Sequence, residues 1–94
     1  MKVEWTTAAK RDHDALIDHI AQDQPLAAVE QGDEITQQIA RLGEFPNMGR
    51  AGRLCDTREL VINRTPYVVA YRIKGETIHI LRILHGAQQW PAQL

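Results

Sequence analysis

Residues 67–84, YVVAYRIKGETIHILRIL, decide the fold. They read as two β-strands, Tyr67–Lys74 and Thr77–Leu84, folded back on each other at the tight Lys74-Gly75-Glu76 joint. Apolar residues crowd both faces, in VVAY and in IHIL, so the sheet is expected to be covered at least partly on both sides. Arg72 and Arg82 interrupt these runs. Antiparallel pairing around Gly75 puts the two arginines near one another on neighbouring strands. Like charges that close need an anion from Glu59, from another carboxylate or from a ligand. A salt bridge within the chain and a ligand-lined groove both answer that need.

Upstream, Arg58–Asn63 is a third strand pattern. Phe45–Arg53, FPNMGRAGR, is a loop by its proline and glycine content. Two helices precede it. Ala9, His13, Leu16, Ile17 and Ile20 share one stripe of the first, which Thr6 or Thr7 can cap and which ends by Gln24, before Pro25. Pro25 suits the first turn of the second, whose inner stripe is Ala28, Gly32, Ile35, Ile39 and Leu42. Small residues at 28 and 32 let the helices approach closely, offsetting the roughly 1 kcal/mol that a mid-helix glycine costs. Lys2–Trp5 is a short opening strand. The order β-α-α-β-β-β predicts an α+β fold, an N-terminal helical hairpin packed on a small antiparallel sheet, within one domain spanning 1–94.

The formal charge of −1 hides an asymmetry. Residues 1–48 carry four basic and nine acidic side chains, a balance of −5, whereas 49–94 carry seven basic and three acidic, a balance of +4. The second half presents a positive field to an anionic partner, or its arginines pair with helix carboxylates inside the domain. Cys55 is the only cysteine, which excludes an internal disulfide and fits a reducing, cytoplasmic setting. No apolar run approaches the roughly 18 residues that would span a bilayer, and the N-terminus lacks the apolar core of a signal peptide.

Arg50, Arg53 and Arg58 in GRAGRLCDTREL (49–60) suit phosphate or carboxylate oxygens, or belong to a solvated loop. The histidines lack metal-ligand spacing, and no metal or other cofactor is expected. His85, at the end of the last strand in RILHGAQQW (82–90), is read as a polar cap, as part of a recognition patch, or as an acid or base. Trp90 can stack on a base or anchor a protein interface.

The series FPNMGR (45–50), TRELVI (57–62), TPYVVAYRI (65–73) and ILRILHGAQQWP (80–91) resembles the RelE/ParE family of bacterial type II toxin–antitoxin toxins, over essentially the whole chain. The resemblance implies a microbial-RNase-like fold, a cognate antitoxin in a hetero-oligomeric complex, and a place among toxins tied to plasmid stabilization. RelE-type members act as ribosome-dependent mRNA endonucleases, and ParE-type members act on DNA gyrase without nuclease activity. His85 stands where some endonuclease members place a catalytic histidine. The arginine of the middle strand in RelE-type members is not matched, Val68 standing in its stretch, the lysine pair of RelE is missing, and its C-terminal arginine falls on Gly86 or Ala87. The chain is thus closer to the ParE branch. A gyrase-facing surface of Arg50, Arg53, Arg58, Arg72, Arg82 and Trp90, with His85, is expected. The alternative is a ribonuclease on the ribosome and mRNA, using His85 with arginines.

Overall fold

Thr6 joins the first strand to the first helix and ties both to the sheet. Strand β1 runs Lys2–Trp5 and helix α1 Thr7–Ala21, in a computed structural model that describes residues 1–94. The Thr6 hydroxyl accepts from the Ala9 N–H at 3.1 Å, satisfying a donor that a bare helix start leaves orphaned. The same hydroxyl donates, in a shared bond, to the carbonyls of Ile80 (2.8 Å) and Leu81 (3.1 Å).

Helix α2, Pro25–Ala40, begins on Pro25, whose fixed φ and missing N–H fit the first turn. Its predicted inner stripe is buried, and Leu42 continues it in the 3-10 turn Arg41–Gly43. A Cβ on Gly32 would lie 2.9 Å from Ile17 Cδ1, so the absent side chain is what lets α1 and α2 meet. His13 seals this contact. Its Nε2 donates to the Gly32 carbonyl at 3.1 Å, and its ring stands edge-on to Trp5, centroids 5.4 Å apart.

Strands β2 (Arg50–Ala51), β3 (Arg58–Val61), β4 (Tyr67–Lys74) and β5 (Thr77–His85) complete a five-stranded sheet ordered β1-β5-β4-β3-β2. The sheet is mixed, not purely antiparallel as expected. β1 lies parallel to β5, with Val3 beside Ile78 and Trp5 beside Ile80. No turn links these two strands, so the direction of β1 is set by where α1 must start rather than by local sequence. The loop residues Arg50 and Ala51 also pair, against Glu59 and Arg58.

β4 and β5 pair from Lys74↔Thr77 to Tyr71↔Ile80, skip Leu81 in a bulge, and resume from Ala70↔Arg82 to Tyr67↔His85. One extra residue reverses the facing of everything beyond it. Ile78, Ile80 and Ile83 therefore reach the same core, which is why IHILRIL does not alternate cleanly. That core joins Ile35, Ile39 and Leu42 from the helical layer to Ile62, Val69 and Tyr71 from the sheet, all 1% exposed or less. Each such aliphatic side chain contributes on the order of 1.5–3 kcal/mol by leaving water. On the other sheet face Val68, Ala70 and Leu84 are buried too. No helix is long and apolar enough to cross a membrane.

Candidate functional site: the arginines of the sheet and the turn after β5

Glu59 gathers the loop arginines. It lies opposite Ala70 on the face away from the helices, with its side chain 3% exposed. Arg50 Nη2 donates to its Oε1 at 3.1 Å, and the Arg53 backbone N–H and Nε donate to Oε2 at 2.8 and 3.1 Å. Burial alone would push the Glu59 carboxyl up. The hydrogen bonds from the Arg53 side chain and backbone, and from Arg50, together outweigh it and leave the pKa below its ordinary value. Arg53 also lies over the Trp90 ring, 3.7 Å from guanidinium carbon to centroid. This cation–π contact fastens the C-terminal segment to the sheet. Trp90 thus has one ring face covered by the protein's own arginine, and its indole N–H is buried without a partner.

Arg58 opens β3 and donates through Nη1 to the Gly49 carbonyl at 2.7 Å. The same loop is held from beneath by Tyr71, whose hydroxyl donates to the Pro46 carbonyl at 2.7 Å and accepts from the Gly49 N–H at 2.9 Å. Burial raises the pKa of this phenol.

Arg72 and Arg82 separate. Arg72 faces His79 and Arg82 faces Ala70, with the bulge between them. Arg82 turns to α1, where Asp12 takes Nε at 2.6 Å and Nη2 at 3.1 Å. The hydrogen bonds it donates to Asp12 raise the arginine's pKa further. Asp12 Oδ2 also accepts the Ile83 N–H at 3.0 Å. Pairing with β1 stops at Ile80, and beyond it this carboxylate serves the open edge of β5. Arg72 meets no carboxylate. Asp12 as a partner is invisible in local sequence, because 70 positions separate it from Arg82.

His85 closes a turn. Its Nδ1 accepts the Ala87 N–H at 3.0 Å, its own N–H donates to Gln88 Oε1 at 2.8 Å, and the Gln88 N–H returns to the His85 carbonyl at 3.0 Å. The ring packs edge-on to Tyr67, centroids 5.5 Å apart. With Nδ1 accepting, the neutral imidazole carries its proton on Nε2. Nε2 is then a donor, and Nδ1 is occupied by the Ala87 N–H. Two shallow clefts of about 310 and 260 Å³ meet at His85, both also lined by His19 and Tyr67. No three His, Cys, Asp or Glu side chains converge on one point.

The family described as the ParE toxin of the type II toxin–antitoxin system parDE matches residues 3–90. The protein Y4kP of Sinorhizobium fredii is 39% identical over 93 residues, covering 99% of this chain and 96% of its own length. Toxin RelE2 of Caulobacter vibrioides is 37% identical over 87 residues, 93% of this chain and 97% of that one. A chain of the solved chromosomal ParDE toxin–antitoxin system from P. aeruginosa superimposes with a TM-score of 0.85 at 33% identity, covering 90% of this chain and 95% of its own. Sequence and fold thus agree along nearly the whole length, and the chain belongs to the RelE/ParE family of type II toxin–antitoxin toxins.

Proposed function

We propose that this toxin acts in the ParE manner, inhibiting DNA gyrase through the arginine-bearing sheet face and the C-terminal segment, until a cognate antitoxin covers it. The observation that carries this reading is the pairing of a turn-bound His85 with an apolar sheet centre. Val68, Ala70 and Leu84 are buried in the middle of the outer face, where phosphorane stabilisation would need a cation. His85 presents Nε2–H, which leaves the 2′-hydroxyl of an RNA without a base at that atom. Action on gyrase requires a cytoplasmic toxin, a setting that a free, exposed Cys55 suits.

The second reading is a ribosome-dependent ribonuclease, favoured by the clustering of His85 with Tyr67 and His19 around adjoining clefts. Purified toxin should inhibit gyrase supercoiling and leave mRNA on translating ribosomes intact. Codon-dependent cleavage that vanishes in His85→Ala, with supercoiling untouched, would replace the first reading by the second.

A further inference from the structure

Strand pairing runs out at one corner of the sheet before β4 does. β3 begins at Arg58, opposite Tyr71, so Arg72, Ile73 and Lys74 extend past its start. The loop that leads into β3 flanks this overhang. Between them lies a cleft of about 540 Å³, with Asp56, Thr57, Arg58, Arg72 and Lys74 in its lining.

Three cationic residues and one carboxylate residue line it, Arg72 and Lys74 from the sheet face of Ala70 and Arg58 from that of Tyr71. Arg58 is oriented by the Gly49 carbonyl through a single guanidinium nitrogen, which leaves the rest of its fork available. Arg72 and Lys74 take no part in any of the chain's salt bridges. His79, opposite Arg72 on β5, has its nearest carboxylate in Glu4, at 4.0 Å, and brings no negative charge to the cleft. The backbone adds a donor. Ile62 donates to the Tyr67 carbonyl, and from that bonded pair the two-residue alternation turns the amides of Tyr71 and Ile73 to the β3 side. At Ile73 that side has no strand.

On a chain whose net charge is −1, such a cluster repels itself unless an anion enters. Arginine forks, an ammonium and a backbone N–H suit the oxygens of a phosphate. No aromatic side chain lines the cleft, so contact with nucleic acid here would be to backbone rather than to bases. We propose that the Arg58–Arg72–Lys74 cleft binds a backbone phosphodiester of duplex DNA, giving the toxin a sequence-independent grip on the DNA that gyrase holds. This rests on the gyrase reading and narrows the target-facing surface to the corner where cations are unpaired, adding Lys74 to it.

The test is fluorescence anisotropy of a short labelled duplex with the full-length toxin, over a salt series. The double variant Arg72→Gln/Lys74→Gln should weaken binding about tenfold or more and reduce the slope of log K against log salt by about 2. Neither residue holds an internal ion pair, so its thermal melt should match the parent's. Arg64→Gln, which breaks the distant Arg64–Glu34 pair, should leave duplex binding unchanged. Unchanged affinity and slope in the double variant would overturn the site. Inorganic phosphate that competes as strongly as unlabelled duplex would overturn the DNA assignment in favour of a free anion. So would an acidic peptide that binds more tightly than duplex, in favour of a protein partner. Supercoiling inhibition is measured alongside. Its absence from the parent toxin would overturn the gyrase reading, whereas its presence with DNA binding unaffected by the double variant would overturn only the cleft.

Discussion

Asp12 grips Arg82 with both carboxylate oxygens, at 2.6 and 3.1 Å, and takes the Ile83 N–H with one of them. A side chain on the first helix thereby does for the last strand what β1 does as far as Ile80, three residues earlier. Pair and strand edge depend on the same carboxylate, and both partners are largely shielded from water, 28% and 17% exposed.

Asp12→Ala should therefore cost more than a surface ion pair, about 2–3 kcal/mol, because it strands a partly buried guanidinium and a backbone donor together. Urea unfolding measures this directly. Arg82→Met, which removes the charge and keeps the stem, should cost less, since Asp12 retains the Ile83 N–H. Equal losses would show that the backbone bond contributes nothing.

Glu59 sets the acid limit of the sheet face. Its folded pKa lies below the ordinary 4.5 because hydrogen bonds from Arg53 and Arg50 outweigh burial, which acts the other way. A depressed carboxylate contributes stability that is complete above its unfolded pKa and is lost as pH falls through the folded value. Stability should thus decline from about pH 4.5 downward. Glu59→Gln should be less stable near neutrality, by about 1–3 kcal/mol, and should lack this part of the acid decline. Denaturant midpoints measured from pH 7 to pH 3 would show it. Parallel curves for parent and variant would place the acid sensitivity elsewhere.

Tyr71 links the core to the loop above it. Its ring is fully buried, while its hydroxyl bridges the Pro46 carbonyl and the Gly49 N–H. Tyr71→Phe keeps the ring and orphans both backbone groups, for a cost of about 1–3 kcal/mol. Gly49→Ala should damage the same spot by crowding, since a Cβ there would sit 2.7 Å from the Tyr71 hydroxyl and 2.8 Å from the Glu59 carbonyl. Combined, the two changes should cost less than their sum, because both disrupt one contact. Thermal melts of the two single variants and the double variant test this.

What could be read from the sequence was whatever local periodicity or punctuation controls. The buried stripe of α2, the close approach at Gly32 and the hairpin at Gly75 all follow from spacing within a few residues. The parallel direction of β1 was hidden, because its partner lies some 75 positions away and no turn connects them. At the candidate site the same limit decided which arginines are free. Arg50 and Arg53 read in sequence as members of an open loop, and in the fold both pair with Glu59. The bulge at Leu81 re-aims Arg82, and the broken alternation of IHILRIL that it leaves does not say where the extra residue sits. Arg58 and Arg72 are the sheet arginines with no carboxylate partner, and only the folded contacts show that.

His85 offers the sharpest separation of structure from chemistry. Its Nδ1 bond to the Ala87 N–H makes it the cap of the turn that carries the chain to Trp90. His85→Ala should remove that bond and speed hydrogen exchange at the Ala87 amide, at a stability cost of about 0.5–1.5 kcal/mol. His85→Asn can offer its side-chain oxygen to the same N–H and should restore much of the protection. If the side chain serves only the turn, growth inhibition on induction should survive in His85→Asn and fall in His85→Ala only as far as folded protein falls. An acid or base at this position would show the reverse pattern: both variants harmless to cells, while His85→Asn still folds and protects the amide as the parent does.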